Sequence, residues 1–230
     1  MNIHFGVKLL ALLTVSVVVQ AKELKVPQIQ DMVTLPVSGV KAVKSNDQIL
    51  FVSSNGRFVF TGELYDTWYK RKASSMDELR DTGTHIHLDR MNLNVDELNT
   101  ATLGKGKKDV VVFIDPRCPY CEKIINASYK LLDQYTFKYV IVQVLGEESE
   151  RLARVTSCAS DRKEIIPALL SRSIDELATK PSCTEADSFL KSNLTAEMFG
   201  IRGVPYSIAP NGKVNKGLPA NLAQWLNANH

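Results

Sequence analysis

The sequence lacks several features that would place it in a large functional class. Beyond its first residues, no segment approaches the roughly 18 consecutive apolar residues that a membrane-spanning helix needs. Net charge is small, because 28 Lys and Arg residues oppose 25 Asp and Glu residues, and this balance predicts neither nucleic-acid nor membrane-surface binding. The polar stretch Gly104–Asp109 lacks the spacing and the terminal Ser or Thr of a phosphate loop. No internal repeat or low-complexity tract is present.

The first 21 residues predict an export signal. Lys8 is followed by Leu9–Val19, a mostly apolar run of 11 residues that is too short to cross a bilayer core of about 30 Å. Cleavage is predicted after Ala21, although an uncleaved anchor and an ordinary buried helix stay open as alternatives. Removing one Lys with residues 1–21 leaves 27 basic against 25 acidic residues. An exported chain meets an oxidising compartment, where cysteines usually pair.

The following residues predict a small antiparallel sheet. Val40–Tyr65 shows short alternating strands, and Ser54–Gly56 between two apolar runs is a strong hairpin signal. A sheet this small is only marginally stable alone, so it is expected to pack against the rest of the chain or against a second copy. Ala73–Gly83 predicts a short helix that stops at its glycine, and Gly104–Asp109 predicts a connector.

The pattern changes after this connector. The Val-rich run "DVVVFID" predicts a strand that is buried on both faces, and "FKYVIVQVL" predicts a second one. Helical apolar spacing covers Glu122–Gln134, and residues 147–200 predict several helices. A hairpin at Asn211-Gly212 and a terminal helix complete the order β, α, β, helices, β-hairpin, α.

The stretch "FIDPRCPYCEKII" places two cysteines three residues apart between a predicted strand and a predicted helix. Pro119 suits the first turn of that helix, which puts Cys118 at or near the N-cap, where free backbone N–H groups and the helix dipole favour a nucleophilic thiolate. Cys121 lies one turn further in. We therefore predict that Cys118 attacks a substrate disulfide and that Cys121 resolves the mixed disulfide.

Other roles for this pair are less well supported by the sequence. A zinc site would require two further ligands at compatible spacing, and His85, His87 and His230 are not near a second such motif. A Cu(I) site and an inert disulfide stay open as alternatives. His85 and His87 would share one face of a strand, where two histidines without a third ligand usually form a polar surface.

The two other cysteines, Cys158 and Cys183, lie far apart in separate segments. We interpret them as a structural disulfide whose loop is worth roughly 3.5 kcal/mol in the chain-entropy model, with a second redox centre as the alternative. Val204-Pro205 lies just before the last hairpin, where the sequence alone is equally compatible with a cis and with a trans bond.

With these motifs assembled, the chain resembles the DsbC/DsbG-type periplasmic disulfide isomerases over nearly its whole mature length. The resemblance rests on "NGRFVFTGELYD", "VVVFIDPRCPYC", the distant second cysteine pair and "GVP" before the last hairpin. It implies an α+β N-terminal dimerisation domain plus an α/β thioredoxin-like catalytic domain with an inserted helical segment. It also implies a V-shaped homodimer whose catalytic domains face each other across a cleft.

The resemblance assigns roles to individual residues. Cys118 corresponds to the nucleophilic cysteine of the family and Cys121 to its resolving cysteine. Gly203 and Val204 correspond to the loop that meets the substrate backbone, and Pro205 to the cis proline that faces the cysteine pair.

Two departures from the family pattern accompany these matches. The active-site dipeptide is Pro119-Tyr120, where the best-known isomerase of the family has Gly-Tyr, and Val204 replaces a threonine that is common before the cis proline. Both positions bear on the reduction potential. Cys158 and Cys183 correspond to a structural disulfide that some members contain.

We therefore predict a signal peptide at residues 1–21, a dimerisation domain at residues 22–72, a linker at residues 73–103 and a catalytic domain at residues 104–230. The predicted function is periplasmic isomerisation of incorrect disulfides; an oxidase or reductase, a holdase chaperone and a copper-handling protein are the alternatives. Expected partners are misfolded disulfide-containing exported proteins, a membrane thiol reductase of the DsbD type as electron donor, and a second copy of the chain. No cofactor, metal or nucleic acid is expected.

Overall fold

The computed structural model describes residues 28–37, 39–181, 183 and 186–230 of the 230-residue chain. The predicted signal peptide at residues 1–21 lies outside the described residues. No helix in the described part of the chain is long and apolar enough to cross a membrane.

The N-terminal part forms a four-stranded antiparallel sheet in which the strands lie in chain order. The predicted hairpin is confirmed: its turn is closed by the Ser53 hydroxyl, which donates to Asn55 Oδ1 at 2.7 Å and accepts from the Phe58 N–H at 2.9 Å. Ala42 and Phe51 face each other across two central strands, and both are buried. The strands are β1 (Ile29–Thr34), β2 (Val40–Ser45), β3 (Gln48–Ser53) and β4 (Val59–Phe60).

A short ribbon and one helix complete this N-terminal part. Strands β5 (Leu64–Asp66) and β6 (Arg71–Ala73) pair with each other, and helix α1 (Met76–Thr84) follows. Ser75 caps α1 in a capping box, as its position before an acidic first turn predicts. The helix does not stop at Gly83 as predicted. A Cβ at that glycine would lie 2.8 Å from the Thr34 carbonyl oxygen, so the glycine permits close packing of α1 on β1 instead.

The C-terminal part is built on a five-stranded mixed sheet in the order β11-β10-β8-β9-β7. The two central strands, β8 and β9, are parallel, and every other pairing is antiparallel. The two predicted buried strands are confirmed as β8 and β9. The strands are β7 (Thr100–Leu103), β8 (Lys108–Ile114), β9 (Tyr135–Ile141), β10 (Tyr206–Ile208) and β11 (Val214–Lys216).

Strand β7 shows that the C-terminal sheet begins earlier in the chain than the predicted domain boundary at residue 104. The sequence predicts a linker at residues 73–103, but Thr100 to Leu103 pair with β9 and so belong to the five-stranded sheet. The segment before β7 contains a single 3₁₀ turn, Val95–Glu97, and His85 forms only an isolated bridge with Lys213. These segments are too short for their apolar periodicity to distinguish helix from strand.

The five-stranded sheet buries both of its faces, which explains the continuous apolar run of β8. Val110, Val112 and Ile114 point into one core with α2, α4 and α6, whereas Val111 and Phe113 point into a second core beneath α5. The helices are α2 (Pro119–Ser128), α3 (Glu147–Ser157), α4 (Ile165–Ser171), α5 (Ala186–Met198) and α6 (Leu222–Asn227).

The N-terminal and C-terminal parts meet along a junction that includes two aromatic residues. Trp68 lies with its ring centroid 5.6 Å from that of Phe199, the residue after α5. The Tyr69 hydroxyl accepts a hydrogen bond from the His87 N–H at 2.9 Å, and the Ile86 N–H donates to the Gly212 carbonyl at 2.8 Å. The segment between α1 and β7 is thereby attached to the last hairpin of the catalytic sheet.

Candidate active site

The first cysteine of the pair lies where the central strand β8 passes into α2. The Cys118 N–H donates to the Asp115 carbonyl at 3.1 Å, which closes the turn after the strand. Cys118 has extended backbone angles and is the N-cap of α2, with Pro119 in the first turn. Its sulfur accepts a hydrogen bond from the Cys121 N–H at 3.2 Å. The side chain thus occupies the position where the unpaired N–H groups of a helix concentrate.

The second cysteine lies one turn further along α2. Cys121 is 2% exposed and Cys118 is 4% exposed, and neither forms a disulfide in this structure. Burial raises the pKa of the Cys121 thiol well above its ordinary value, and the hydrogen bond with Cys118 acts in the same direction. Cys121 is therefore held as a neutral thiol, while the sulfur of Cys118 receives the N-cap hydrogen bond.

The loop before β10 faces this sulfur. The Val204 carbonyl oxygen lies 3.6 Å from Cys118 Sγ and accepts from the thiol. The Val204–Pro205 peptide bond is cis. Gly203 precedes it at the surface, and a Cβ there would meet no atom within 4 Å. Val204, one of the three residues that the family resemblance groups as a substrate-facing loop, therefore contacts the sulfur of Cys118.

The dipeptide between the cysteines is exposed. Tyr120 is 56% exposed, and the Lys123 ammonium lies 5.2 Å from the centre of its ring. Pro119 borders a surface groove of about 350 Å³ whose lining includes Arg117 and Glu122. The dipeptide therefore forms part of the surface that an incoming chain would meet beside Cys118.

Sequence reasoning missed one residue at this site, Asp115. Its carboxylate is buried and accepts hydrogen bonds from the Val144 N–H at 2.8 Å, the Leu145 N–H at 2.9 Å and the Ser149 hydroxyl at 2.8 Å. The Arg117 N–H donates to it at 2.8 Å. An acidic residue directly after a strand buried on both faces was the available signal, because a carboxylate is rarely buried without partners.

The remaining cysteines form a disulfide away from this turn. Cys158 caps the C-terminus of α3 and is bonded to Cys183, with 5.5 Å between the two Cα atoms. The Lys180 N–H donates to the Cys158 carbonyl at 3.0 Å, and Ala159 forms a bridge with Thr179. The bond therefore fastens the segment before α5 onto the end of α3.

The structure also locates the two histidines that the sequence analysis considered as metal ligands. The rings of His85 and His87 are stacked with centroids 5.8 Å apart, and each has a ring nitrogen 3.1 Å from a carboxylate oxygen of Asp81. Over the described ranges, no group of three or more His, Cys, Asp or Glu side chains is arranged to hold a metal ion. The two histidines belong to the junction between α1 and the catalytic sheet.

Two family models match the chain. A thioredoxin-like domain matches residues 96–229, well over half of the chain, and the disulfide bond isomerase protein N-terminal domain matches residues 16–75. The chain therefore belongs to the DsbC-type thioredoxin-fold disulfide isomerases, which are thiol–disulfide oxidoreductases.

Individual relatives agree with this assignment. The chain is 25% identical over 199 residues to the thiol:disulfide interchange protein DsbC of Haemophilus influenzae. This alignment covers 83% of this chain and 80% of that protein. It is 23% identical over 202 residues to DsbC of Escherichia coli K12, covering 85% of this chain and 80% of the relative. A disulfide interchange protein from Neisseria gonorrhoeae shares the fold, with a TM-score of 0.51, 22% identity, and coverage of 60% of this chain and 98% of that one.

Proposed function

We propose that this protein isomerises incorrect disulfides in exported proteins of the periplasm, with Cys118 as the nucleophile and Cys121 as the resolving thiol. The observation that carries the proposal is the position of the Cys118 sulfur. It accepts the Cys121 N–H at the start of α2 and faces the Val204 carbonyl, so it lies between a helix N-terminus and a loop that a substrate can contact.

Isomerisation then proceeds without net transfer of electrons. The Cys118 thiolate attacks one sulfur of a wrong disulfide, a mixed disulfide forms, and the other substrate sulfur leaves as a thiolate. A different substrate thiolate attacks the bond to Cys118, which forms the new pairing and releases the Cys118 thiolate. The Val204 carbonyl and the exposed Gly203 lie where the substrate backbone would bind during these steps.

A trapped substrate is released by the second cysteine. Cys121 loses its proton and attacks the sulfur of Cys118, so the substrate leaves as a reduced thiol and a Cys118–Cys121 disulfide remains. Two electrons and two protons must then restore the pair. We propose that a membrane thiol reductase of the DsbD type supplies these electrons.

The N-terminal sheet supports the proposal of a homodimer formed through residues 22–72. Val59 and Phe60 in its edge strand β4 are exposed, as is Phe58 before it. An exposed apolar edge strand readily pairs with another chain. Pairing with a second copy would cover these side chains and extend the small sheet.

A Val59→Lys variant is expected to be monomeric, because a charge on the edge strand opposes pairing of two sheets. Sedimentation equilibrium of the wild type and the variant at equal concentration checks this. Tyr129→Lys is the matched control, since Tyr129 is also an exposed large apolar residue but lies at the end of α2. A monomeric wild type, or an unchanged mass for Val59→Lys, would contradict the proposed interface.

The proposed function is tested by refolding a scrambled multi-disulfide substrate with the reduced protein. Wild type is expected to restore native disulfides, and Cys118→Ser is expected to restore none, because the hydroxyl cannot form the mixed disulfide. If native disulfides form only when the substrate starts fully reduced and the protein starts oxidised, the result would favour an oxidase. Suppression of aggregation that persists in Cys118→Ser/Cys121→Ser, with no disulfide rearrangement by any form, would favour a holdase.

A further inference from the structure

The side chain of Asp115 is among the most deeply buried polar groups of the catalytic part. It lies directly after β8, and only 1% of its surface is exposed. A buried carboxylate is unfavourable unless hydrogen bonds replace the water that it has lost. Its four hydrogen-bond partners are three backbone N–H groups and one hydroxyl, all of them uncharged.

These hydrogen bonds connect two separate loops. Oδ2 accepts from the Val144 and Leu145 N–H groups in the segment between β9 and α3. Oδ1 accepts from the Ser149 hydroxyl in α3 and from the Arg117 N–H beside the cysteine pair. Three of the four partners are backbone N–H groups, which can only donate, and together they satisfy the acceptor capacity of the carboxylate on both oxygens.

The backbone of the same residue contacts the cysteine pair. The Asp115 carbonyl accepts from the Cys118 N–H at 3.1 Å, which closes the turn that leads into α2. Burial and the hydrogen bond with Cys118 are the largest causes of the raised pKa of Cys121; the backbone of Asp115 opposes them, and the charge of its carboxylate adds to them as a smaller contribution. One residue therefore holds the turn of the cysteine pair and places a negative charge beside it.

We propose that Asp115 is a positioning residue that also makes the Cys118–Cys121 pair a stronger reductant. The inference rests on the proposed redox role of the two cysteines. Reduction of their disulfide takes two electrons and two protons and yields two thiols, one of which ionises to act as the nucleophile. A fixed negative charge raises the free energy of a nearby thiolate but not of the neutral disulfide, so it opposes reduction.

Asp115→Asn in the full chain tests this inference. The Asn oxygen can accept from Val144 and Leu145 while its NH₂ group donates to Ser149, whose hydroxyl can turn to accept, so only the bond from Arg117 is lost. At equilibrium with defined ratios of reduced and oxidised glutathione, the variant is expected to favour the dithiol about 3- to 10-fold more than wild type. Thiolate absorbance is expected to develop at lower pH.

Two controls separate charge from structure. Ser149→Ala removes one hydrogen bond to Asp115 but keeps its charge, so it is expected to lower thermal stability and to leave the glutathione equilibrium within about twofold. Asp109→Asn removes an exposed carboxylate near the other end of β8, about 20 Å away at the strand rise of about 3.3 Å per residue, and controls for net charge. Asp109→Asn is expected to change neither the glutathione equilibrium nor the pH at which thiolate absorbance develops.

The outcomes distinguish this inference from the proposed function. If wild-type Cys118 and Cys121 do not exchange with glutathione at all, the proposed function fails. If wild type exchanges and a folded Asp115→Asn has the same equilibrium and the same thiolate titration, the role of Asp115 is overturned while the proposed function stands. Should Asp115→Asn not fold, Asp115→Ser, which also removes the charge and leaves space for a bridging water, gives the same comparison.

Discussion

Cys121→Ser is expected to accumulate as a covalent mixed disulfide between Cys118 and its substrate. Its N–H donates to the Cys118 sulfur at 3.2 Å, and this backbone contact persists in the variant, so the first attack by Cys118 should proceed. The thiol that releases the substrate is gone, however. Effective molarities of well-placed intramolecular groups exceed millimolar external thiol by many orders of magnitude, so release should slow on the order of a thousandfold or more.

Non-reducing mass spectrometry after acid quenching measures this adduct directly. Cys118→Ser is the matched control, because it keeps one buried cysteine in α2 and is expected to form no adduct with the same substrate. An adduct formed by Cys118→Ser through Cys121 would reverse the assignment of the two roles. Equal release rates for wild type and Cys121→Ser would show that Cys121 does not resolve the intermediate.

In wild type, release should depend on pH. Burial, the largest cause of the raised pKa of the Cys121 thiol, persists when Cys118 is bonded to a substrate. The attacking species is the thiolate, whose fraction rises about tenfold per pH unit while the pH is below the pKa. The release rate measured by quenched flow should therefore rise about tenfold per unit between about pH 6 and about pH 8, and a flat profile would contradict it.

Cys158→Ser/Cys183→Ser is expected to lower the free energy of unfolding by about 3.5 kcal/mol, because the native bond closes a loop with a sequence separation of 25 residues. The bond also holds the short pairing of Ala159 with Thr179 in place, and through it the chain that leads into α5. At about 2–4 °C per kcal/mol for a chain of this size, the melting temperature should fall by roughly 10 °C.

Thermal unfolding followed by circular dichroism gives this number, and disulfide exchange measured at 25 °C supplies the control. The variant should exchange at the wild-type rate while it is folded, since Cys118 and Cys121 are unchanged and lie at the start of α2. A folded variant that has lost exchange activity would instead identify Cys158 and Cys183 as a second redox centre.

Much of the catalytic core could be predicted from local patterns. Strand β8 reads as a continuous apolar run because alternate residues enter two different cores, and this signal lies entirely within seven residues. The N-cap position of Cys118 follows from a proline in the next position at a strand-to-helix junction. The N-terminal hairpin likewise follows from Asn55-Gly56 between two apolar runs.

Other features depend on contacts between distant segments. The Asp115 carboxylate receives its donors from Val144 and Ser149, which lie 29 and 34 residues further along the chain. Strand β7 is a four-residue edge strand in which only Thr100 and Ala101 are buried, so its sequence resembles that of a linker. Gly83 likewise resembles a helix stop because its close approach to Thr34 is invisible in the local sequence.

The contact between Trp68 and Phe199 makes tryptophan fluorescence sensitive to the junction between the N-terminal and C-terminal parts. The chain contains two tryptophans, and the other, Trp225, lies in α6 against the core on the opposite face of the catalytic sheet. In a Trp225→Phe variant, the remaining indole emission comes from Trp68, where the N-terminal part touches Phe199, the residue after α5. Changes in its emission on adding substrate would report a change in the surroundings of Trp68 at this contact, without an added dye.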